Sequence, residues 1–200
     1  MISDNSEADK IYLRKANDKF YPKIKATYGK YIKDFNSIPN MTQNIMLLSE
    51  ERLLFEQNKL TKNNARGRCD VNTGYIYIIK DTFCEHLLVH EFMHRLSRNQ
   101  KRAGIFKKYW VSGIYDPYET VDFRGLNELM TEWLTFKITN FKENNVYQSE
   151  FTNLENITQR CNLEILIQSY FQSDYKKAYN EMLNGYLLNV SQISNRLNAK

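Results

Sequence analysis

Apolar residues recur at helical spacing on a charged background near the start of the chain, at Ile11, Leu13, Phe20, Ile24, Tyr28 and Ile32. This period predicts helix over residues 6–35, in which Pro22 either splits the segment in two or lies in a first turn. Pro39 closes the segment, the short apolar run 45–48 is a candidate strand, and residues 49–55 have the composition of a helix start.

Strand-like composition follows in the middle of the chain. Tyr75 to Ile79 consists of aromatic and β-branched residues after the turn signal at 72–74, and this predicts a strand. A helix is expected next, at about 82–98, with Asp81 or Thr82 as its N-cap.

The second half of the chain is predicted to be mostly helical. Residues 103–124 combine glycines and a proline with aromatic and β-branched side chains, which indicates a hairpin or an irregular loop. Helices are expected at 127–139 and at about 147–172 and 174–197. Helices, then a small sheet, then helices again favour an α+β fold.

Composition narrows the class of protein. The 200 residues are 42% hydrophobic and 26% charged, which excludes disordered, collagen-like and fibrous proteins. No repeat or flexible linker interrupts the sequence, so one domain is expected over 1–200. Its N-terminal helical and sheet part would cover about 1–98, and its C-terminal helical part about 99–200. The sequence does not predict an oligomeric state.

Charge, apolar runs and cysteines bear on partners and compartment. The net charge of +5 comes from scattered lysines and arginines, and no nucleic-acid-binding motif accompanies it, so no nucleic-acid partner is expected. The apolar runs are far shorter than the ~20 residues of a membrane-spanning helix, and Met1 to Phe20 lacks the apolar region of a signal peptide. The three cysteines have no paired spacing. Free thiols and a cytoplasmic protein without a membrane segment are therefore expected, with export independent of a signal peptide left open.

The histidines carry the clearest chemical signal. All three of them, His86, His90 and His94, fall in one predicted helix, and residues 90–94 read H-E-x-x-H. His90 and His94 are one helical turn apart on the same face, so both can reach one zinc ion at ~2.1 Å. Glu91 projects about 100° around the axis, where it can contact a water molecule instead of the ion. This is the arrangement of a zinc hydrolase with a carboxylate general base.

A catalytic zinc site needs a third protein ligand and one open position. His86 lies too far along the helix from His94 to bind the same ion, so packing or an outer hydrogen bond is expected for it. Ser97 and Gln100 stand where metzincins have glycine and histidine, which excludes that class. The third ligand is therefore an aspartate, a glutamate or a cysteine.

Two glutamates on the next predicted helix supply candidates. Residues 125–132 read G-L-N-E-L-M-T-E, in which Glu128 and Glu132 are one turn apart on the same face among apolar neighbours. One carboxylate can bind the metal while the other accepts the outer N–H of a ligating histidine and fixes its tautomer.

The two motifs together resemble the gluzincin class of zinc metallopeptidases, typified by thermolysin. The resemblance is confined to these two blocks and implies a zincin-like α+β domain that binds Zn²⁺ and hydrolyses peptide or protein substrates. It also implies that Tyr75 to Ile79 is the sheet-edge strand beside the active-site helix, where it would pair with an extended substrate.

The resemblance further implies a role for individual residues. The zinc ligands would be His90, His94 and Glu128; Glu91 would be the general base, and Glu132 would orient His90. The chain has no later histidine to stabilise the oxyanion. That role would fall to a tyrosine, as in the anthrax lethal factor type, and the candidates are Tyr118 and Tyr115.

Three alternatives stay open. Peptide deformylases also carry H-E-x-x-H, with an upstream cysteine ligand for which Cys69 would be the counterpart, although their other motifs are absent. Intracellular regulatory peptidases of the ImmA/IrrE type match in size and compartment. The third alternative keeps the zincin fold as a catalytically silent binding or toxin-like module. Neither the substrate specificity nor the biological process is predicted.

Overall fold

The computed structural model describes residues 5–33, 35, 38, 40–49, 66–103, 107–115, 124–140 and 159–185. Its helices are α1 (Glu7–Tyr28), α2 (Glu85–Leu96), α3 (Arg124–Thr139) and α4 (Leu163–Gln172), and residues 175–185 are also helical. Its strands are β1 (Ile45–Leu48), β2 (Gly67–Cys69), β3 (Ile76–Ile79), β4 (Arg98–Ala103) and β5 (Lys107–Ser112). Short 3-10 turns lie at Gly29–Tyr31 and Lys80–Thr82. The expected α+β class is confirmed.

A capping box begins α1: Ser6 Oγ accepts the N–H of Asp9, and the Asp9 carboxylate accepts the N–H of Ser6. The expectation that Pro22 divides the segment or opens a helix is wrong, because Pro22 lies inside one continuous helix. A proline removes one N–H donor from a helix. The buried stripe on both sides of Pro22 packs into the core and keeps the two halves in line; its members are Leu13, Ala16, Phe20, Ile24 and Tyr28.

The first sheet has the order β1-β3-β2. β1 pairs with β3 in parallel, and β2 pairs with β3 antiparallel, with Gly67 opposite Ile78. The strands expected at 45–48 and 75–79 are therefore confirmed, but the expectation that Tyr75 to Ile79 is the edge strand is wrong. β3 is central, and the edge strand against α2 is β2. β2 went unpredicted because its three residues, Gly-Arg-Cys, lack the β-branched and aromatic side chains that signal a strand.

In the second half of the chain, the observed helices and strands agree only in part with those predicted from the sequence. β4 and β5 pair antiparallel with Arg98 opposite Ser112, so the hairpin alternative is confirmed, but it begins before the predicted range of 103–124. α3 contains the helix expected at 127–139. α2 is shorter than predicted, since residues 80–82 form a separate turn. The helix expected at 147–172 is interrupted, because residues 159–162 are not helical. Its residues 147–158 lie outside the described part, as do residues 50–55 and 186–197 of the other predicted helices.

The core lies around α2, which buries Leu88, Val89, Phe92 and Met93 completely. One apolar cluster joins these residues to side chains from α1, β1, β3, α3 and α4. This burial fixes the rotation of α2 and directs its remaining residues towards α3 and β2. Within the described ranges, no helix combines the length and apolar character that crossing a bilayer requires.

Candidate metal centre

The N-terminus of α2 determines where the H-E-x-x-H residues lie. Cys84 is the N-cap, and its Sγ accepts the N–H of Leu87 at 3.4 Å. The predicted caps Asp81 and Thr82 instead belong to the preceding 3-10 turn. Cys84 opens the helix in the register that buries its apolar face, so His90 and His94 lie on the side that meets α3.

His90 and His94 direct their Nε2 atoms towards Glu128 of α3. The two Nε2 atoms are 3.2 Å apart. Glu128 Oε2 lies 3.6 Å from His90 Nε2, and Glu128 Oε1 lies 3.5 Å from His94 Nε2. Two ligands of a tetrahedral zinc ion at about 2.1 Å are about 3.4 Å from each other. The three side chains therefore have the donor atoms and the spacing to hold a metal ion.

Glu132 fixes the ring of His90. Its Oε2 lies 2.9 Å from His90 Nδ1. Burial raises the pKa of Glu132, but the hydrogen bonds from His86 and His90 outweigh burial and lower the pKa to about 2. An ionised carboxylate only accepts, so His90 Nδ1 carries a proton. A metal ion would therefore be bound by Nε2, once that nitrogen has lost its own proton.

Glu128 is the more open member of the group. Its side chain is 51% exposed, whereas the two histidine side chains are mostly buried. Burial raises the pKa of the Glu128 carboxyl, but the nearby imidazoles of His90 and His94 outweigh burial, so the pKa is well below its usual range. Burial lowers the pKa of His90, but the carboxylates of Glu128 and Glu132 outweigh burial and raise the pKa to about 10 in the metal-free protein. The Glu128 carboxylate thus stays ionised, and its exposed side leaves the candidate site open to solvent.

Glu91 lies on another side of α2, against the edge strand. It is 6% exposed. A Cβ on Gly67 would stand 2.8 Å from Glu91 Oε1 and 3.1 Å from Leu87 Cδ1, so the absence of a side chain at Gly67 permits this approach. Burial raises the pKa of Glu91, against the charges of His90 and His94. Glu91 is therefore a carboxylate beside the three candidate ligands and outside their set.

The three thiols are free. Cys69, the counterpart of a deformylase ligand, is not in the group that can hold a metal ion, whereas Glu128 is. Burial raises the pKa of the Cys69 thiol to about 12 in the metal-free protein. These observations disfavour a deformylase-like site.

Of the two predicted oxyanion tyrosines, the structure describes Tyr115. Tyr118 lies outside the described residues. Tyr115 is half-buried and lines a cavity of about 380 Å³, and none of its other lining residues belongs to the candidate metal group. The structure therefore gives no support to Tyr115 as an oxyanion donor.

Asn127 is a residue whose part in the site was not predicted. Its Oδ1 accepts the N–H of Ile114 at 2.7 Å, and its Nδ2 donates to the Ile114 carbonyl at 2.9 Å. Gly113 has φ +68°, and a Cβ there would stand 2.5 Å from Asn127 Oδ1. The residue before Glu128 thus fastens α3 to the chain that leaves β5. No sequence signal links Asn127 to Ile114, because the contact is tertiary.

His90, His94, Glu128 and Glu132 lie together in the structure, as predicted from the two sequence motifs. Comparison with known proteins finds no matching family model, no matching curated protein and no matching solved structure.

Proposed function

We propose that this protein is a zinc-dependent peptidase. The observation that carries the proposal is the triangle of His90 Nε2, His94 Nε2 and Glu128, with edges of 3.2, 3.5 and 3.6 Å. The buried carboxylate of Glu91 is close enough to interact electrostatically with all three residues. Two imidazoles and a carboxylate are a donor set of catalytic zinc sites, in which the fourth position stays open.

The metal would be held by His90, His94 and Glu128. Zinc in such a site lowers the pKa of water to about 7 and polarises a carbonyl oxygen. Glu91 accepts a proton from the attacking water and delivers it to the leaving amine. Its raised pKa suits both transfers, because a general base and acid works best when its pKa approaches the working pH.

The position of β2 supports a peptide as the substrate class. β2 pairs with β3 along one edge, and no other described strand pairs with its outer edge. An extended chain laid along that edge would form backbone hydrogen bonds with β2. Such a chain would run past Glu91, which lies against Gly67 of β2.

The free cysteines fit a reducing compartment, and we place the activity in the cytoplasm.

The test combines metal analysis with peptide cleavage. Purified protein is expected to hold one zinc per chain and to cleave members of a mixed peptide library, and chelation is expected to stop cleavage until zinc is returned. His94→Ala should lose most of the zinc, because two protein ligands rarely retain a catalytic ion. Stoichiometric zinc in a His90→Ala, His94→Ala double variant would refute the site. Zinc binding without cleavage of any peptide would favour the binding-module alternative.

A further inference from the structure

The third histidine of α2 uses both ring nitrogens without reaching the metal-binding atoms. His86 is 3% exposed. Its Nε2 lies 2.8 Å from Glu132 Oε1, and its Nδ1 lies 3.1 Å from Thr139 Oγ1. Because Glu132 and Thr139 are two helical turns apart on α3, His86 connects α2 to α3 at two levels. In these contacts, Glu132 connects His86 to the candidate metal centre.

Glu132 is shared between two histidines. Its Oε1 accepts from His86 and its Oε2 accepts from His90. The last torsion of a glutamate side chain is broad, so one hydrogen bond would leave the carboxylate free to rotate. Two hydrogen bonds, one on each oxygen, fix the carboxylate plane. The direction in which Oε2 meets His90 Nδ1 therefore depends on the donor that holds Oε1.

The far side of His86 is anchored in the same helix. Thr139 Oγ1 donates to the Thr135 carbonyl at 3.0 Å, and Thr135 Oγ1 donates to the Thr131 carbonyl at 2.8 Å. Thr131 and Thr135 are fully buried. This threonine ladder fixes the Thr139 hydroxyl, which in turn fixes the plane of the His86 ring. A rigid ring can place its Nε2–H on one particular oxygen of Glu132.

We propose that His86 is a positioning residue of the metal centre, holding one oxygen of Glu132 so that the other orients His90. This inference rests on the proposed metal centre. Carboxylates that hold a ligating histidine typically contribute 10–100-fold to metal affinity. His86 acts one step further out, so its loss is expected to weaken zinc binding about tenfold.

Two amide variants separate this role from simple packing. The Nε2 of a glutamine reaches the place of the histidine Nε2, so His86→Gln keeps a donor for Glu132. His86→Asn keeps only a group near the Nδ1 position, facing Thr139. Zinc affinity, measured per folded molecule against a competing chelator, is expected to stay within about twofold of wild type in His86→Gln and to fall about tenfold in His86→Asn. Leu88→Ala, a cavity variant on the same helix, should lower thermal stability and leave zinc affinity unchanged.

A second readout does not require metal. In metal-free wild-type protein, histidine ring NMR should show a proton held on His90 Nδ1, and His86→Asn should weaken or remove that signal while His86→Gln retains it. Equal zinc affinity in both amide variants, or an unchanged His90 signal in His86→Asn, would overturn the positioning role. A wild-type protein that binds no zinc would instead refute the proposed function, and the NMR comparison would still decide the role of His86.

Discussion

Two glutamates on neighbouring helices are buried to nearly the same degree but have opposite acid–base behaviour. Glu91 is 6% exposed and Glu132 is 3% exposed. Burial raises the pKa of Glu91, whereas the hydrogen bonds from two histidines lower the pKa of Glu132 to about 2 in spite of its burial. The difference lies in the neighbours, because Glu91 packs against Gly67 of β2 and Glu132 lies between His86 and His90.

Carboxylates perform two different tasks in a metal centre, and these tasks need different pKa values. A carboxylate with a depressed pKa stays ionised and can hold an imidazole in one tautomer. A carboxylate with a raised pKa binds and releases a proton closer to neutral pH, as a general base must. Each of the two helices places a glutamate near the candidate metal group, and the surroundings of each glutamate decide which task it suits.

The largest expected effect is on turnover at Glu91. Glu91→Gln should lower peptide hydrolysis by about 10²–10⁴-fold, because it removes the proton acceptor while preserving size. Zinc affinity should stay within about twofold, since Glu91 is outside the ligand set. Single-turnover cleavage and zinc content, measured on the same preparation, check both halves. Wild-type turnover in Glu91→Gln would show that another group takes the proton.

Gly67 tests whether the close approach of β2 matters for the position of Glu91. In Gly67→Ala the new Cβ would stand 2.8 Å from Glu91 Oε1 and 3.0 Å from Glu91 Cγ, so the carboxylate must shift. Displacing a catalytic group by about 1 Å can cost about 10²-fold in rate, and that loss in kcat is expected with zinc content unchanged.

Gly29→Ala is the matched control for this substitution. Its Cβ would meet only Lys25 Cγ at 3.7 Å, an ordinary contact, and Gly29 has a right-handed φ of −54°. Stability should be unchanged or slightly higher, and activity should be unchanged. If both alanine variants retain full activity, the fit between Gly67 and Glu91 has no bearing on catalysis.

Substitution of Glu132 should lower metal affinity, whereas substitution of Glu91 should lower turnover. Glu132→Ala is expected to weaken zinc binding by about 10–100-fold, because His90 then has no partner on Nδ1 to fix its ring and tautomer. At saturating zinc, turnover should recover most of its wild-type value. A chelator competition titration measures the affinity, and turnover that stays low at saturating zinc would assign Glu132 a direct part in catalysis.

Much of this centre could be predicted from sequence because its motifs are local. The spacing of His90 and His94, and that of Glu128 and Glu132, fixes a helix face as soon as the segments are helical. The prediction that these two helix faces meet around one metal ion came from the resemblance of the two motifs to those of gluzincins. His86 carried a weaker signal of the same kind, since it precedes His90 by one turn.

The features that sequence did not predict depend on contacts between distant segments. β2 is a strand because it pairs with β3, although its own three residues do not favour one. Gly67 matters only after β2 is placed against Glu91. Likewise, Asn127 fastens Ile114 across the fold, and no periodicity in either segment signals that contact. The strand assigned to the sheet edge was wrong for the same reason, because order within a sheet is a tertiary property.

The smallest expected effect is a difference in how the two glutamates make stability depend on pH in the metal-free protein. Glu132 has a folded pKa of about 2, below its ordinary 4.5, so its contribution is present above pH 4.5 and is lost as pH falls towards 2. Glu91 has a folded pKa above 4.5, so its contribution is present below pH 4.5 and is lost as pH rises through the folded value. The raised pKa of His90 adds a contribution that is constant below pH 6.5 and is lost towards pH 10.

Between pH 4.5 and 6.5 the contributions of Glu132 and His90 are therefore both constant, and Glu91 is the member of the three that changes. In that window the free energy of unfolding of wild type should fall relative to Glu91→Gln, with a slope of at most about 1.4 kcal/mol per pH unit. Below pH 4.5, wild type should lose stability relative to Glu132→Gln. Urea denaturation in the presence of a chelator, repeated at each pH, measures both differences. Parallel curves for wild type and Glu91→Gln from pH 4.5 to 6.5 would mean that Glu91 titrates alike in the folded and unfolded chain, and the contrast between the two glutamates would then disappear.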